Sequence, residues 1–263
     1  MAGSNTLRSP FAGRLDFSVP RPVRALSPDE IERMLAGNRL YVETERRQGR
    51  RADFGSTDLS GVSFSGFNLR RIKMDRAVLR GADFTGAHLE RANLIGAILE
   101  QARFDGADLS GARLTGANLV SASLEDACLA KADMEFALMA KVVLRGASLR
   151  EADMSGALLD DAVLTRADLR AANLRGAGLR NARLDEADLR EAQLGAAYMV
   201  KASLRGVDFR GAYLRLATLD GADLSDANLD GTVGLTQIQL AQAHCSRGTK
   251  LPGGLVGIED GKG

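Results

Sequence analysis

His88, Asp108 and Cys128 are the residues of this sequence whose types invite a reaction. A thiol, an imidazole and a carboxylate are the nucleophile, base and orienting group of covalent catalysis. They follow one another at intervals of twenty residues. Four arginines, Arg150, Arg170, Arg190 and Arg210, keep the same interval and would suit phosphate or an acidic peptide. What either set can do depends on where twenty residues take the chain.

Residues 52–231 answer that question, because they hold 36 consecutive five-residue units with no insertion. The plainest copy is Ala107 to Gly111, Ala-Asp-Leu-Ser-Gly. Taking its Leu as the centre, centres run from Phe54 to Leu229 and comprise 26 Leu, 5 Phe and 5 Met. Ala stands two residues before the centre in 30 units. On an α-helix, a step of five leaves successive centres roughly 140° apart, so no apolar face forms. On a straight strand, an odd step sends them to opposite sides. The chain buries every centre only by turning once per unit, which winds it into an all-β solenoid. Ala then fills a second inward position, and the Gly, Asp, Ser and Asn that follow the centres supply turns.

These units resemble the A(D/N)LXX units of the pentapeptide-repeat family over about two-thirds of the chain. The resemblance implies a right-handed quadrilateral β-helix, with four units per coil and one per face. Two columns agree with a twenty-residue coil: Phe64, Phe84 and Phe104 inside, and the four arginines outside. About nine coils follow, stacked at ~4.8 Å.

A coil of this size weakens the catalytic reading. His88, Asp108 and Cys128 become parallel side chains on one flat wall, with His88 and Cys128 about 10 Å apart. A base must reach hydrogen-bond distance of its nucleophile, and parallel ligands do not converge on a metal. The sequence reads as non-enzymatic, with no cofactor and no metal. The arginine column has two readings. Asp168, Asp188 and Asp208 sit two residues before three of the arginines, which gives an alternating charge grid; the alternative is an anion-binding stripe.

Another column carries the preferred functional reading. Val78, Ile98, Leu138, Leu158 and Tyr198 share one outward position, interrupted by Asn118 and Gly178, with Val120, Ala140 and Val200 beside it. A contiguous apolar stripe marks something that covers it. The expected cover is a protein partner or a second copy of the chain; the alternative is the chain's own N-terminal arm.

The flanks read as ends of one domain. Residues 1–26, with Pro10, Pro20, Pro22 and several Arg, read as a flexible basic arm. Residues 27–51 read as a capping helix, with Ser27 as N-cap, Pro28 at the first position and Glu30 closing a capping box. Ile31, Met34 and Leu35 form its apolar face. Thr57, Val62, Phe67 and Ile72 replace Ala in the first coil and form the mouth on which it docks. Residues 232–263 read as a short capping helix around Leu235, Ile238 and Leu240, then a Gly-rich tail. Two cysteines without paired spacing, no leader segment and no long apolar run fit a cytoplasmic protein away from membranes. The net charge of +1 gives no pull toward nucleic acid.

The function expected is a non-catalytic interaction scaffold. The runner-up comes from the resemblance: quinolone-resistance members of the family mimic DNA and bind type II topoisomerase (gyrase). Residues 52–231 carry 22 Lys and Arg against 26 Asp and Glu, a poor copy of the duplex, so this reading is disfavoured.

Overall fold

The computed structural model describes residues 24–256. Most of the basic arm and the end of the Gly-rich tail lie outside the described residues.

The twenty-residue return is visible in the backbone. Parallel bridges join each residue just before a centre to its counterpart one coil on, from Asp53–Lys73 to Tyr213–Val233. Two hydrogen bonds make each link: Leu89 N donates to Asp108 O at 2.7 Å, and Asp108 N donates to Ala87 O at 3.0 Å. Each corner closes with a turn, as when Ala92 N donates to Leu89 O at 2.9 Å. The residue just before Ala in each turn is left-handed, whether Gly86 at φ 63° or Arg91 at φ 57°. Glycine adopts that geometry without strain; the many non-glycine corners hold it because the coils above and below leave no other path. At Gly156 (φ 66°) a second reason applies, since a Cβ would stand 2.6 Å from the Phe136 ring.

Every centre from Phe54 to Leu229 is buried, and the Ala positions pack between them. The phenylalanine column stacks as its spacing predicts. Ring centroids lie 5.0 Å apart for Phe64–Phe84 and 4.7 Å for Phe84–Phe104, with interplanar angles of 11° and 3°.

Helix α1 (Pro28–Glu43) caps the N-terminal end. Ser27 and Glu30 form the reciprocal capping box, and Ile31, Met34 and Leu35 pack against the core. The helix passes through Gly37 without a break. The following loop doubles back along it, with Arg50 N donating to Gly37 O at 3.1 Å. Gly49 sits where a Cβ would come 2.4 Å from that carbonyl, so the reversal needs glycine. Asn38 is buried at the junction and accepts from Ala52 N at 3.0 Å.

The mouth differs from the sequence reading at one corner. Thr57 and Ile72 are buried and Val62 is half-buried, but Phe67 remains 45% exposed. The cap covers the other three corners and leaves this one open. The arm also contributes to the coil: Arg24 pairs with the first coil, donating to Ser56 O at 2.9 Å and accepting from Asp58 N at 3.1 Å.

At the other end, α2 (Gln237–Ala241) is one short turn with Leu240 buried. Ile238, expected in its apolar face, is 75% exposed. The capping work falls to Gln239, whose Nε2 donates to Leu214 O at 3.0 Å and Ala217 O at 2.8 Å. After α2 the chain rejoins the coil, with bridges Asp223–His244 and Asn228–Lys250. The coil therefore continues past the last repeat as a partial turn.

Candidate protein-interaction face

The bridges fix which residues share a wall. His88, Asp108 and Cys128 are consecutive members of one ladder, so they stand one coil apart on parallel paths. Cys128 lies 3.1 Å from Ser110 Oγ, which donates to Asp108 at 2.5 Å. His88 is two coils from Cys128 and cannot serve it. Among the described residues no three His, Cys, Asp or Glu side chains gather as a metal site.

The arginine column is an alternating grid. Arg170, Arg190 and Arg210 each fork onto the Asp two residues earlier, with Nη2 to carboxylate distances of 2.6, 2.6 and 2.7 Å. Arg170 also reaches Asp188 at 3.4 Å and Arg190 reaches Asp208 at 3.7 Å, while Arg150 approaches Asp168 at 4.0 Å. Glu151 and Glu191 line the same shallow groove as Arg150, Arg170 and Arg190. An incoming anion would meet Arg170 and Arg190 with their forks occupied, Arg150 beside Asp168, and acidic flanks at Glu151 and Glu191.

The grid sets a pH dependence. Hydrogen bonds from Arg170 hold the Asp168 carboxyl below its usual value, and those from Arg210 do the same for Asp208. A lowered folded value stabilises the fold above the unfolded value of about 3.9 and is lost as pH falls through the folded value. The double variant Asp168→Asn, Asp208→Asn should therefore melt slightly below the parent at neutral pH, and the gap should close as pH falls through the lowered folded values. The effect is small because exposed pairs are individually weak. A gap in melting temperature that persists at low pH would show that the carboxylate charges are not its source.

The apolar column is an unbroken ladder through Val78, Ile98, Asn118, Leu138, Leu158, Gly178 and Tyr198. Leu158 and Tyr198 stand out at 47% and 44% exposure; Val78, Ile98, Leu138, Val120 and Val200 are half-buried in the wall. Arg180 lies 6.0 Å above the Tyr198 ring. Asp160 fills the gap left by Gly178, where a Cβ would come within 3.1 Å of its Oδ1. Asn118 donates to Glu100 at 2.6 Å.

The neighbouring corner extends this surface in a way the sequence reading missed. From the third coil onward it runs Gly96, Gly116, Phe136, Gly156, Gly176, Ala196 and Leu216, without a charge. The Phe136 ring lies across Gly156, and Leu216 projects outward. Reading down the corner at the twenty-residue step would have found it.

The family described as pentapeptide repeats matches residues 50–91, 87–126, 127–166, 162–199 and 197–233 in 8 copies. The chain belongs to the pentapeptide-repeat family. HetL, a pentapeptide repeat protein involved in heterocyst differentiation regulation in the cyanobacterium Nostoc sp. strain PCC 7120, is similar at 29% identity. That match covers 88% of this chain and 99% of HetL, with a TM-score of 0.58. The plasmid-mediated fluoroquinolone resistance protein QnrB1 is similar at 20% identity, over 74% of this chain and 89% of that one, also with a TM-score of 0.58. At that identity QnrB1 speaks for the fold alone. No curated protein matches the chain in sequence. The pentapeptide-repeat fold is a right-handed β-helix solenoid, and the family is generally a non-enzymatic interaction scaffold. Among the described residues no helix is long and apolar enough to cross a membrane.

Proposed function

We propose that this pentapeptide-repeat protein is a cytoplasmic, non-catalytic scaffold that binds a protein through the wall carrying Leu138, Leu158 and Tyr198. The domain is a nine-coil quadrilateral β-helix over residues 52–231, closed by the segments 27–51 and 232–263. The observation that carries the reading is the apolar ladder beside a corner position that carries no charge from Gly96 to Leu216, on a molecule whose other outward columns are mostly polar. A rigid flat wall buys little as a pocket but presents side chains at a fixed spacing, which suits an extended protein surface. The gyrase reading has only a fold likeness behind it, and the balanced charge of the coil opposes it.

The test is capture from a lysate of the source cell on immobilised protein. The wild type should retain a discrete protein that Leu138→Lys, Leu158→Lys releases, with the variant still folded. Equal capture by both would remove this wall from the function. Retention of gyrase by wild type and variant alike would favour the runner-up.

A further inference from the structure

The wall of Leu138 and Leu158 carries a pattern that identifies its partner, if the reading of it as the interaction surface holds. We propose that it binds a second copy of this chain, face to face and antiparallel, with a two-fold axis between the coils of Leu138 and Leu158. A two-fold axis lying along the strand direction turns the coil axis over and sets each column against itself in reverse order.

In that register the apolar ladder is close to a palindrome. Leu138 meets Leu158 of the second copy, Asn118 meets Gly178, and Ile98 meets Tyr198. At the corner, the Phe136 ring covers Gly156 within its own chain, so the two Phe136 rings meet at the axis. Gly116 then faces Gly176, and Gly96 faces Ala196. Small residues oppose small ones along the edge, which lets the walls approach.

The flanking charges select the same register. Lys141 faces Asp161 of the second copy, Arg80 faces Asp220 and Asp75 faces Arg215, each twice by symmetry, and no like charges are opposed. A slip of one coil one way sets Lys141 against Lys141 and Glu135 against Glu135. A slip the other way sets Asp160 and Asp161 against themselves. Most charges pair along the coil within the chain, as Lys131–Glu151, Arg145–Glu125 and Arg166–Glu186 do, and on this wall Arg80 already meets Glu100 at 2.9 Å and Asp75 lies 3.8 Å from Lys73, so the Lys141–Asp161 pair carries the register. Among the described residues Lys141, Asp161, Arg215 and Asp220 form no such ion pair.

The area sets the expected strength. The contact covers eight coils of the wall. At ~4.8 Å per coil it is ~38 Å long, and four extended residues make it ~13 Å wide. Each copy buries on the order of 500 Å², about 1,000 Å² in all, near the lower bound of specific interfaces. A reversible dimer in the micromolar range follows.

Sedimentation velocity on the full chain, from about 1 to 300 μM, tests the proposal. The wild type should shift from monomer to dimer across that range. Leu138→Lys, Leu158→Lys should stay monomeric with an unchanged melting profile. Lys141→Asp, which opposes two carboxylates, should weaken the dimer about tenfold, and Lys141→Asp with Asp161→Lys should restore it. A wild type that is monomeric throughout overturns the proposal. So does a dimer that survives the Leu variant, which would place the contact elsewhere, for example at Ile238. A dimer indifferent to Lys141→Asp overturns the register. A dimer that appears only after residues 1–23 are deleted assigns the wall to that segment instead. If the wild type is monomeric yet captures another protein through Leu138 and Leu158, the dimer fails and the interaction wall stands.

Discussion

Leu144→Asp should abolish the native fold at physiological temperature. Leu144 is fully buried in the column of centres between Leu124 and Leu164, and its amide donates to Val163 O at 2.7 Å. No polar group in that column can receive a carboxylate, so the acid either stays charged without a partner or enters protonated with unmet hydrogen bonds. The expected loss exceeds about 4 kcal/mol, against about 2–5 kcal/mol for Leu144→Ala, which leaves only a void. Position matters too. Each coil touches only its neighbours, so a break at Leu144 uncouples the two halves, whereas Leu229→Asp strips only the last coil. Circular dichroism melts should rank the three variants in that order. A Leu144→Asp protein that melts with the parent would mean the centre columns do not form the core.

Phe84→Ala should be nearly as damaging, for a different reason. Its ring is the middle of the Phe64–Phe84–Phe104 stack, with neighbours at 5.0 and 4.7 Å. Truncation removes both ring contacts and opens a void that the coil backbone cannot close, because hydrogen bonds to the coils on either side fix its spacing. The expected cost is about 3–5 kcal/mol. Phe84→Leu returns the commonest centre residue and should cost about 1.5 kcal/mol or less. Urea unfolding of the three proteins separates the cases. If Leu is as costly as Ala, ring stacking rather than volume holds that column.

The solenoid was legible because its cause is local: an apolar residue every five positions leaves the chain one way to bury them all. Columns such as the stacked phenylalanines followed from the twenty-residue step, and the Ser27–Glu30 box was readable because it lies within four adjacent residues. What the sequence hid depends on which long-range neighbour arrives. Arg24 sits in a Pro-containing segment that reads as a loose arm, yet it supplies the first bridge. Gln239 is a polar residue in a short amphipathic stretch, and nothing in its type announces that its amide serves Leu214 and Ala217. Ile238 carries the stronger apolar signal and faces outward. Phe67 looks like core from its type, but its burial depends on how far α1 reaches. On the wall, the apolar ladder was readable from its outward position. The uncharged corner beside it was not, because left-handed turns accept Gly, Phe and Leu as well as Arg and so leave no propensity to read.

Gln239 has a consequence for the length of the molecule. A parallel coil ends in a row of backbone groups shaped like the start of another coil, which makes a bare end a template for a further chain. Repetition as regular as this would then have no internal reason to stop at one molecule: rods would join end to end into filaments. By taking Ala217 O, the counterpart of the Ala87 and Ala197 carbonyls that accept from the next coil, the Gln239 amide removes one of the bonds such growth would need. At the other end Arg24 O accepts from Asp58 N, the donor that a preceding coil would otherwise meet. The terminal segments thus act as chain terminators, and they keep a polymer-like sequence a discrete particle.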